Sequence, residues 1–210
     1  DAKARIDFGA IEDACASGVD ILCVMAAHNE VGTLYPIEHV GRLAAHWGTQ
    51  VLVDATQAAG RVDMHAIDWS ITYLSMSAHK IYGPKGVGAL VAPGASDVRR
   101  QHGSVPGTGD GTPNVPGIAG LGEACRLRLR EMGDDEPRMA RQRDRLERLL
   151  LDGVPDIVVS GDRERRLSNN LHVCVPGVAN DAVLARLRRQ VAISTGAACA
   201  RRAWCRSALS

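Results

Sequence analysis

The strongest constraint on the fold is a series of short, continuous apolar runs separated by stretches of helical spacing. Runs at 19–26 (VDILCVMA), 49–54 (TQVLVD), 71–75 (ITYLS) and 86–91 (GVGALV) each have the length of a strand. Between the first two, residues 37–47 repeat apolar side chains at helical intervals. A strand that is apolar along its whole length must be covered on both faces, the condition of a parallel sheet clad in helices. The expected fold class is therefore α/β with a mainly parallel sheet. Ligands of such sheets collect at the carboxyl ends of the strands. Polar residues cluster there in this sequence: His28-Asn29-Glu30 after the first run, Asp54 to Gln57 after the second and Ser77 to Lys80 after the third.

Residues 94–117, rich in Gly, Pro, Ser and Thr, read as a long loop, a length that is uncommon without function. A helical stretch at 118–151 follows, with an interruption expected at 133–137, where Gly133 and Pro137 fall. Beyond Gly153 and Pro155, residues 156–160 and 170–175 read as strands and 181–190 as a helix capped by Asn180 or Asp181. The expected organisation is a large domain at 1–125, a linking helical region at 126–155 and a smaller α+β domain at 156–210.

A formal net charge of +1 and 3% aromatic residues argue against a nucleic-acid-binding module. The basic runs Arg141, Arg143, Arg145, Arg148 and Arg186, Arg188, Arg189 alternate with apolar residues and read as solvated helix faces. No apolar run approaches the roughly 20 residues that cross a bilayer, and no signal peptide is visible. Membrane binding is not expected, and the cytoplasm is the expected location. Six cysteines, at 15, 23, 125, 174, 199 and 205, form no Cys-x-x-Cys pair. A disulfide framework or zinc site is thus not expected, and Cys23 and Cys174, inside strand-like runs, read as buried inert thiols.

Lys80 follows a hydroxyl (Ser77) and an imidazole (His79) that can hydrogen-bond a phosphate, and glycines at 83 and 86 let backbone approach a ligand. A solvated turn lysine would look the same. As a Schiff-base nucleophile it would need to be partly desolvated. Asp54 ends an apolar strand, where a carboxylate is costly without a partner. A pyridinium nitrogen is one such partner, with Gln57 placed to donate to a ring oxygen; a helix N-cap is the alternative. Cys199 lies after the small residues Ser194-Thr195-Gly196-Ala197-Ala198 and before Arg201 and Arg202, a setting that favours thiolate. On these grounds alone an ordinary free cysteine remains open.

Three segments in the first half, His28-Asn29-Glu30-Val31-Gly32-Thr33, 53–60 (VDATQAAG) and 77–86 (SAHKIYGPKG), resemble cysteine desulfurases of the NifS/IscS type. So do Asn169-Asn170-Leu171, Pro176-Gly177 and Ser194-Thr195-Gly196-Ala197-Ala198-Cys199. The last segment is the most specific to desulfurases; the lysine segment is shared with other aminotransferase-like enzymes.

The resemblance implies the fold type I architecture of enzymes that use pyridoxal 5'-phosphate, and conversion of L-cysteine to L-alanine with sulfur held as a persulfide. It implies that Lys80 binds the cofactor covalently, Asp54 pairs with the pyridine nitrogen and Gln57 bonds the ring oxygen. Ser77 and His79 would hold the phosphate, Asn29 would sit near the ring and substrate carboxylate, and Cys199 would accept the sulfur. Thr112, after Gly111, matches a residue that reaches the neighbouring subunit's phosphate, which implies a homodimer. A sulfur-acceptor protein is also implied, serving iron–sulfur assembly or nucleic-acid thiolation. The family's ring-stacking aromatic residue and carboxylate-binding arginine have no counterpart here, as expected of a chain lacking the family's N-terminal segment and C-terminal end.

Overall fold

Three of the apolar runs fold as neighbouring parallel strands: β1 (Ile21–Met25), β2 (Gln50–Asp54) and β3 (Tyr73–Ser77). Helix α2 (Ile37–His46) lies in the crossover from β1 to β2 and packs on β2. The fourth strand, β4 (Gly88–Val91), returns antiparallel beside β3, giving the order β1-β2-β3-β4. The computed structural model describes residues 4–93 and 112–194. The chain divides into two compact units. One comprises Ile6–Ala27 and Tyr35–Glu136 and holds this sheet; the other comprises Asp1–Arg5, His28–Leu34 and Pro137–Ser210.

Register decides which side chains share a face. Val24, Val53 and Leu74 align across the three parallel strands, as do Met25, Asp54 and Ser75. Because side chains alternate along a strand, Val51, Val53 and Leu74 point to one face and Leu52, Asp54, Ser75 and Ser77 to the other. Val51 and Val53 are fully buried, as are Val40 and Ala44 of α2. The opposite face is only half-buried in β2 and β3. It carries Cys23 on the edge strand β1, which is exposed rather than buried as its apolar run suggested.

Helix α1 (Phe8–Ala16) was not evident from the apolar pattern, since it buries only Cys15. The Asp7 carboxylate caps it, accepting from the Ala10 amide at 3.2 Å, and the Phe8 ring meets His39 of α2 edge-on, centroids 4.5 Å apart.

Helix α3 (Val115–Gly153) runs unbroken through Pro137, against the expected interruption. Proline removes a helical donor and crowds the carbonyl four residues back. That residue is Gly133, and the turn ahead of the proline is fastened from the side: Arg128 donates to Asp135 at 2.8 Å and to Glu136 at 2.5 Å.

In the second unit, β5 (Val158–Val159) pairs antiparallel with β6 (Val173–Cys174), and α4 spans Asn180–Leu187. The first residue before α4 is Ala179, so neither Asn180 nor Asp181 acts as its side-chain cap. Cys174 is buried and disulfide-bonded, not the inert thiol expected. Of the seven arginines read as solvated, Arg143 is the exception: its guanidinium donates to the Leu167 carbonyl at 2.7 Å. Among the described residues, no helix is long and apolar enough to cross a membrane.

The two faces of β2 differ in what they contribute to stability. Val53→Ala empties a fully buried site and is expected to cost about 2–3 kcal/mol in urea unfolding. Leu52→Ala, on the half-buried face, is expected to cost less than Val53→Ala despite removing more atoms.

Candidate active site

Parallel pairing brings Asp54 and Ser77 to the same edge of the sheet. Asp54 is the last residue of β2 and lies beside Ser75; Ser77, two residues on, projects to the same face. The chain then makes one 3₁₀ turn, Ala78–Lys80, and doubles back. The amides of Ile81 and Gly83 both donate to the Ala78 carbonyl, at 3.0 and 2.8 Å. Ala78 is fully buried, whereas His79 and Lys80 are exposed. Lys80 makes no hydrogen bond or ion pair among the described residues. Among the described residues nothing supplies the desolvation expected for this lysine, which sits at the end of a single turn on the sheet's edge. Gln57 is half-buried in the turn after β2.

One oxygen of Asp54, Oδ1, accepts from the Thr56 amide at 2.9 Å. No basic side chain of the described residues pairs with this half-buried carboxylate. A carboxylate held in this way calls for a cationic partner, and the protonated ring nitrogen of pyridoxal phosphate would supply one. The donor set at the sheet edge therefore fits that cofactor.

The turns after β2 and β3 are joined by a buried arginine of α3 that sequence reasoning did not single out. Arg128, 3% exposed, donates through Nε to the Gly60 carbonyl at 2.9 Å and through its two Nη atoms to Asp135 and Glu136. Gly60 has φ +67°, and a Cβ there would fall 3.1 Å from Arg128 Cβ and Cγ. The guanidinium carbon of Arg128 stands 5.5 Å from the centre of the Tyr82 ring and that of Arg61 5.8 Å. Tyr82 itself has φ +67°, a left-handed conformation costing a non-glycine residue about 1 kcal/mol. Its only sequence signal was its place in the lysine segment.

In the other unit, the segment carrying Asn29 is a tight turn. The His28 amide donates to Thr33 O at 2.8 Å, and Gly32 N donates to His28 O at 3.0 Å. His28 Nδ1 accepts from the amides of Glu30 and Val31, at 3.2 and 3.4 Å, which places its proton on Nε2. Burial lowers the His28 pKa, Glu30 opposes this and His172 adds to it. Burial likewise lowers that of His172, again opposed by Glu30. Asn170 locks the turn: its Nδ2 donates to Glu30 O at 2.8 Å, and its side chain lies on Gly32, φ +74°. A Cβ on residue 32 would fall 2.6 Å from Asn170 Cβ. Two segments quoted separately from the sequence are thus one structural element.

Asn29, Glu30, Asn170 and His172 open on a cavity of about 470 Å³ also lined by valines 173, 175, 178 and 183. Among the described residues, the buried atoms Asn170 Oδ1 and His172 Nδ1 have no hydrogen-bond partner. Behind the turn, Thr33 Oγ1 accepts from the Asp162 amide at 3.0 Å. The Asp162 carboxylate accepts from the amides of Arg165 and Glu164 and from Arg5 Nε. Thr112 is exposed and outside any helix or strand. Cys199 and Cys205 lie outside the described residues.

The sheet edge thus presents a lysine, a hydroxyl, an imidazole and a carboxylate with no basic partner among the described residues. The model of the aminotransferase class-V family matches residues 1–209, and the chain belongs to that family. A cysteine desulfurase of Sinorhizobium fredii (strain NBRC 101917 / NGR234) is 38% identical over 207 residues, covering 96% of this chain and 53% of the relative. A solved NifS-like protein superposes with a TM-score of 0.80 at 28% identity, over 90% of this chain and 52% of that one. SspA, solved in complex with cysteine, gives a TM-score of 0.68 at 27% identity, over 94% of this chain and 55% of its own. The chain spans about half the length of the curated relatives it matches.

Two substitutions test the second unit. Gly32→Ala is expected to destabilise by about 2–4 kcal/mol, since both its φ and the Asn170 contact oppose a side chain. Asp162 has its pKa lowered to about 2 from an ordinary 3.8, first by the Arg165 amide, against the cost of burial, and further by the Glu164 amide and Arg5. A depressed carboxylate contributes stability above its unfolded pKa and loses it as pH falls toward the folded value. Stability should therefore fall from about pH 4 to about pH 2, and Asp162→Asn should flatten that fall. At neutral pH Asp162→Asn should cost about 1–2 kcal/mol after screening by solvent at the half-exposed Arg5. Acid titration followed by circular dichroism measures both.

Proposed function

We propose that this chain is part of a cysteine desulfurase, which takes sulfur from L-cysteine and leaves L-alanine. The observation that carries this reading is the Asp54 carboxylate, which has no basic partner among the described residues, on the edge that also bears Ser77 and the Lys80 turn. The relatedness to a desulfurase at 38% identity supports it. Pyridoxal 5'-phosphate would be held by Lys80 covalently, by Asp54 at the ring nitrogen, by Gln57 at the ring oxygen and by Ser77 and His79 at the phosphate. Asn29 would meet the substrate, and Thr112 would serve the neighbouring subunit of a homodimer. When bound, the cofactor supplies an electron sink for charge that develops at the substrate Cα.

The chain's own groups do the rest. The Lys80 amine moves the proton at the substrate Cα. The Cys199 thiolate attacks the substrate sulfur: an S–S bond forms, the Cβ–S bond breaks, and the carbon keeps the electron pair and gains a proton. Alanine leaves, and Cys199 holds the persulfide. An acceptor protein then takes the sulfur for iron–sulfur assembly or nucleic-acid thiolation, with the cytoplasm as the proposed setting.

The test is to supply pyridoxal phosphate and L-cysteine, reduce one portion with borohydride, and map both modifications by peptide mass spectrometry. A cofactor adduct on Lys80 and added sulfur on Cys199 are expected. Cys199→Ser should lose persulfide formation by at least about two orders of magnitude while keeping the adduct. Undiminished sulfur release by Cys199→Ser would refute the assignment.

A further inference from the structure

We propose that Arg128 is a positioning residue for Lys80, acting through the Gly60 carbonyl and the Tyr82 ring; this rests on the desulfurase reading. Its guanidinium is occupied on every side. Nε fixes the turn after β2, the Nη atoms fix Asp135 and Glu136, and the planar group stands over the Tyr82 ring. Glu136 also takes the Arg61 guanidinium at 3.5 Å, so both cations near the ring are tied to one carboxylate.

Tyr82 lies two residues beyond Lys80 and is the point at which the chain reverses. Its left-handed φ directs the Gly83 amide back onto the Ala78 carbonyl and closes the turn that carries the lysine. An unfavoured backbone conformation persists only where its surroundings enforce it. Tyr82 is 69% exposed, so burial cannot be that enforcement; the two guanidiniums over the ring are. Arg128 therefore sets the lysine turn against the Asp54–Gly60 turn, although it lies 48 positions from Lys80 in sequence.

The function needs the planar fork of arginine, not only its charge. This separates a positioning role from a general electrostatic one. In the full protein, Arg128→Lys is expected to speed amide hydrogen exchange in residues 78–86 roughly tenfold, leaving β2 unchanged. With L-cysteine, kcat should fall roughly tenfold with KM unaltered, because a small misplacement of the lysine acts on the proton transfer. Less cofactor should be trapped on Lys80 by borohydride. A charge-balanced variant, Arg128→Met with Glu136→Gln, should show the same pattern and covers the case in which the single variant does not fold. Tyr82→Gly, which removes the ring and suits the φ, should loosen the same peptide.

Parental exchange and trapping in Arg128→Lys would overturn the proposal. So would faster exchange spread evenly over the sheet, which would make Arg128 a general stabiliser. If the parent itself traps no cofactor on Lys80, the desulfurase reading falls, and the exchange pattern alone still decides whether Arg128 sets the turn.

Discussion

Parallel pairing obliges β1, β2 and β3 to end at one edge, and the chemistry of the chain depends on that obligation. A one-residue slip between β2 and β3 would send Asp54 and Ser77 to opposite faces. The slip is opposed by the other face, where Val51 and Val53 are fully buried and Val40 and Ala44 of α2 leave no room for polar side chains. Hydrophobic burial on one side of the sheet thus decides the position of polar groups on the other. The antiparallel return of β4 adds a second restraint, since Ser77 is paired with Gly88 on its free side.

The charged groups fall into two kinds. Arg128 and Glu147 are buried, and they form ion pairs with the half-buried Glu136 and Arg166, a use of charge that fixes geometry more than it adds stability. Burial alone would raise the Glu147 pKa; hydrogen bonds from Arg166 and Arg163 reverse this and leave its carboxyl below the ordinary value. Asp54 is the other kind, half-buried and without a cation of its own among the described residues.

Much of this was legible in the sequence because continuous apolar runs and strand-end polar clusters are local signals. The four strands, α2 and the long helix were read from such runs. What was missed depends on contacts distant along the chain. Cys23 looks buried in its own run, but it is exposed on β1, the outermost of the described strands. Pro137 looks like a break, and only the Arg128 ion pairs show why the helix continues. Arg128 and Asn170 carry no local mark of their roles, because each acts on backbone far away in sequence. Cys199, the most specific signal in the sequence, belongs to a stretch outside the described residues.

The lock between Asn170 and the turn at Gly32 joins residues 140 positions apart through a single amide and a carbonyl. Residue 32 can carry no side chain while Asn170 lies on it, and residue 170 must keep a short amide to reach Glu30. Neither position is therefore free to vary alone. For an engineer who grafts the Asn29 turn onto another scaffold, the hexapeptide His28 to Thr33 is an incomplete part: its shape is stored partly in Asn170, and the two must be transplanted together.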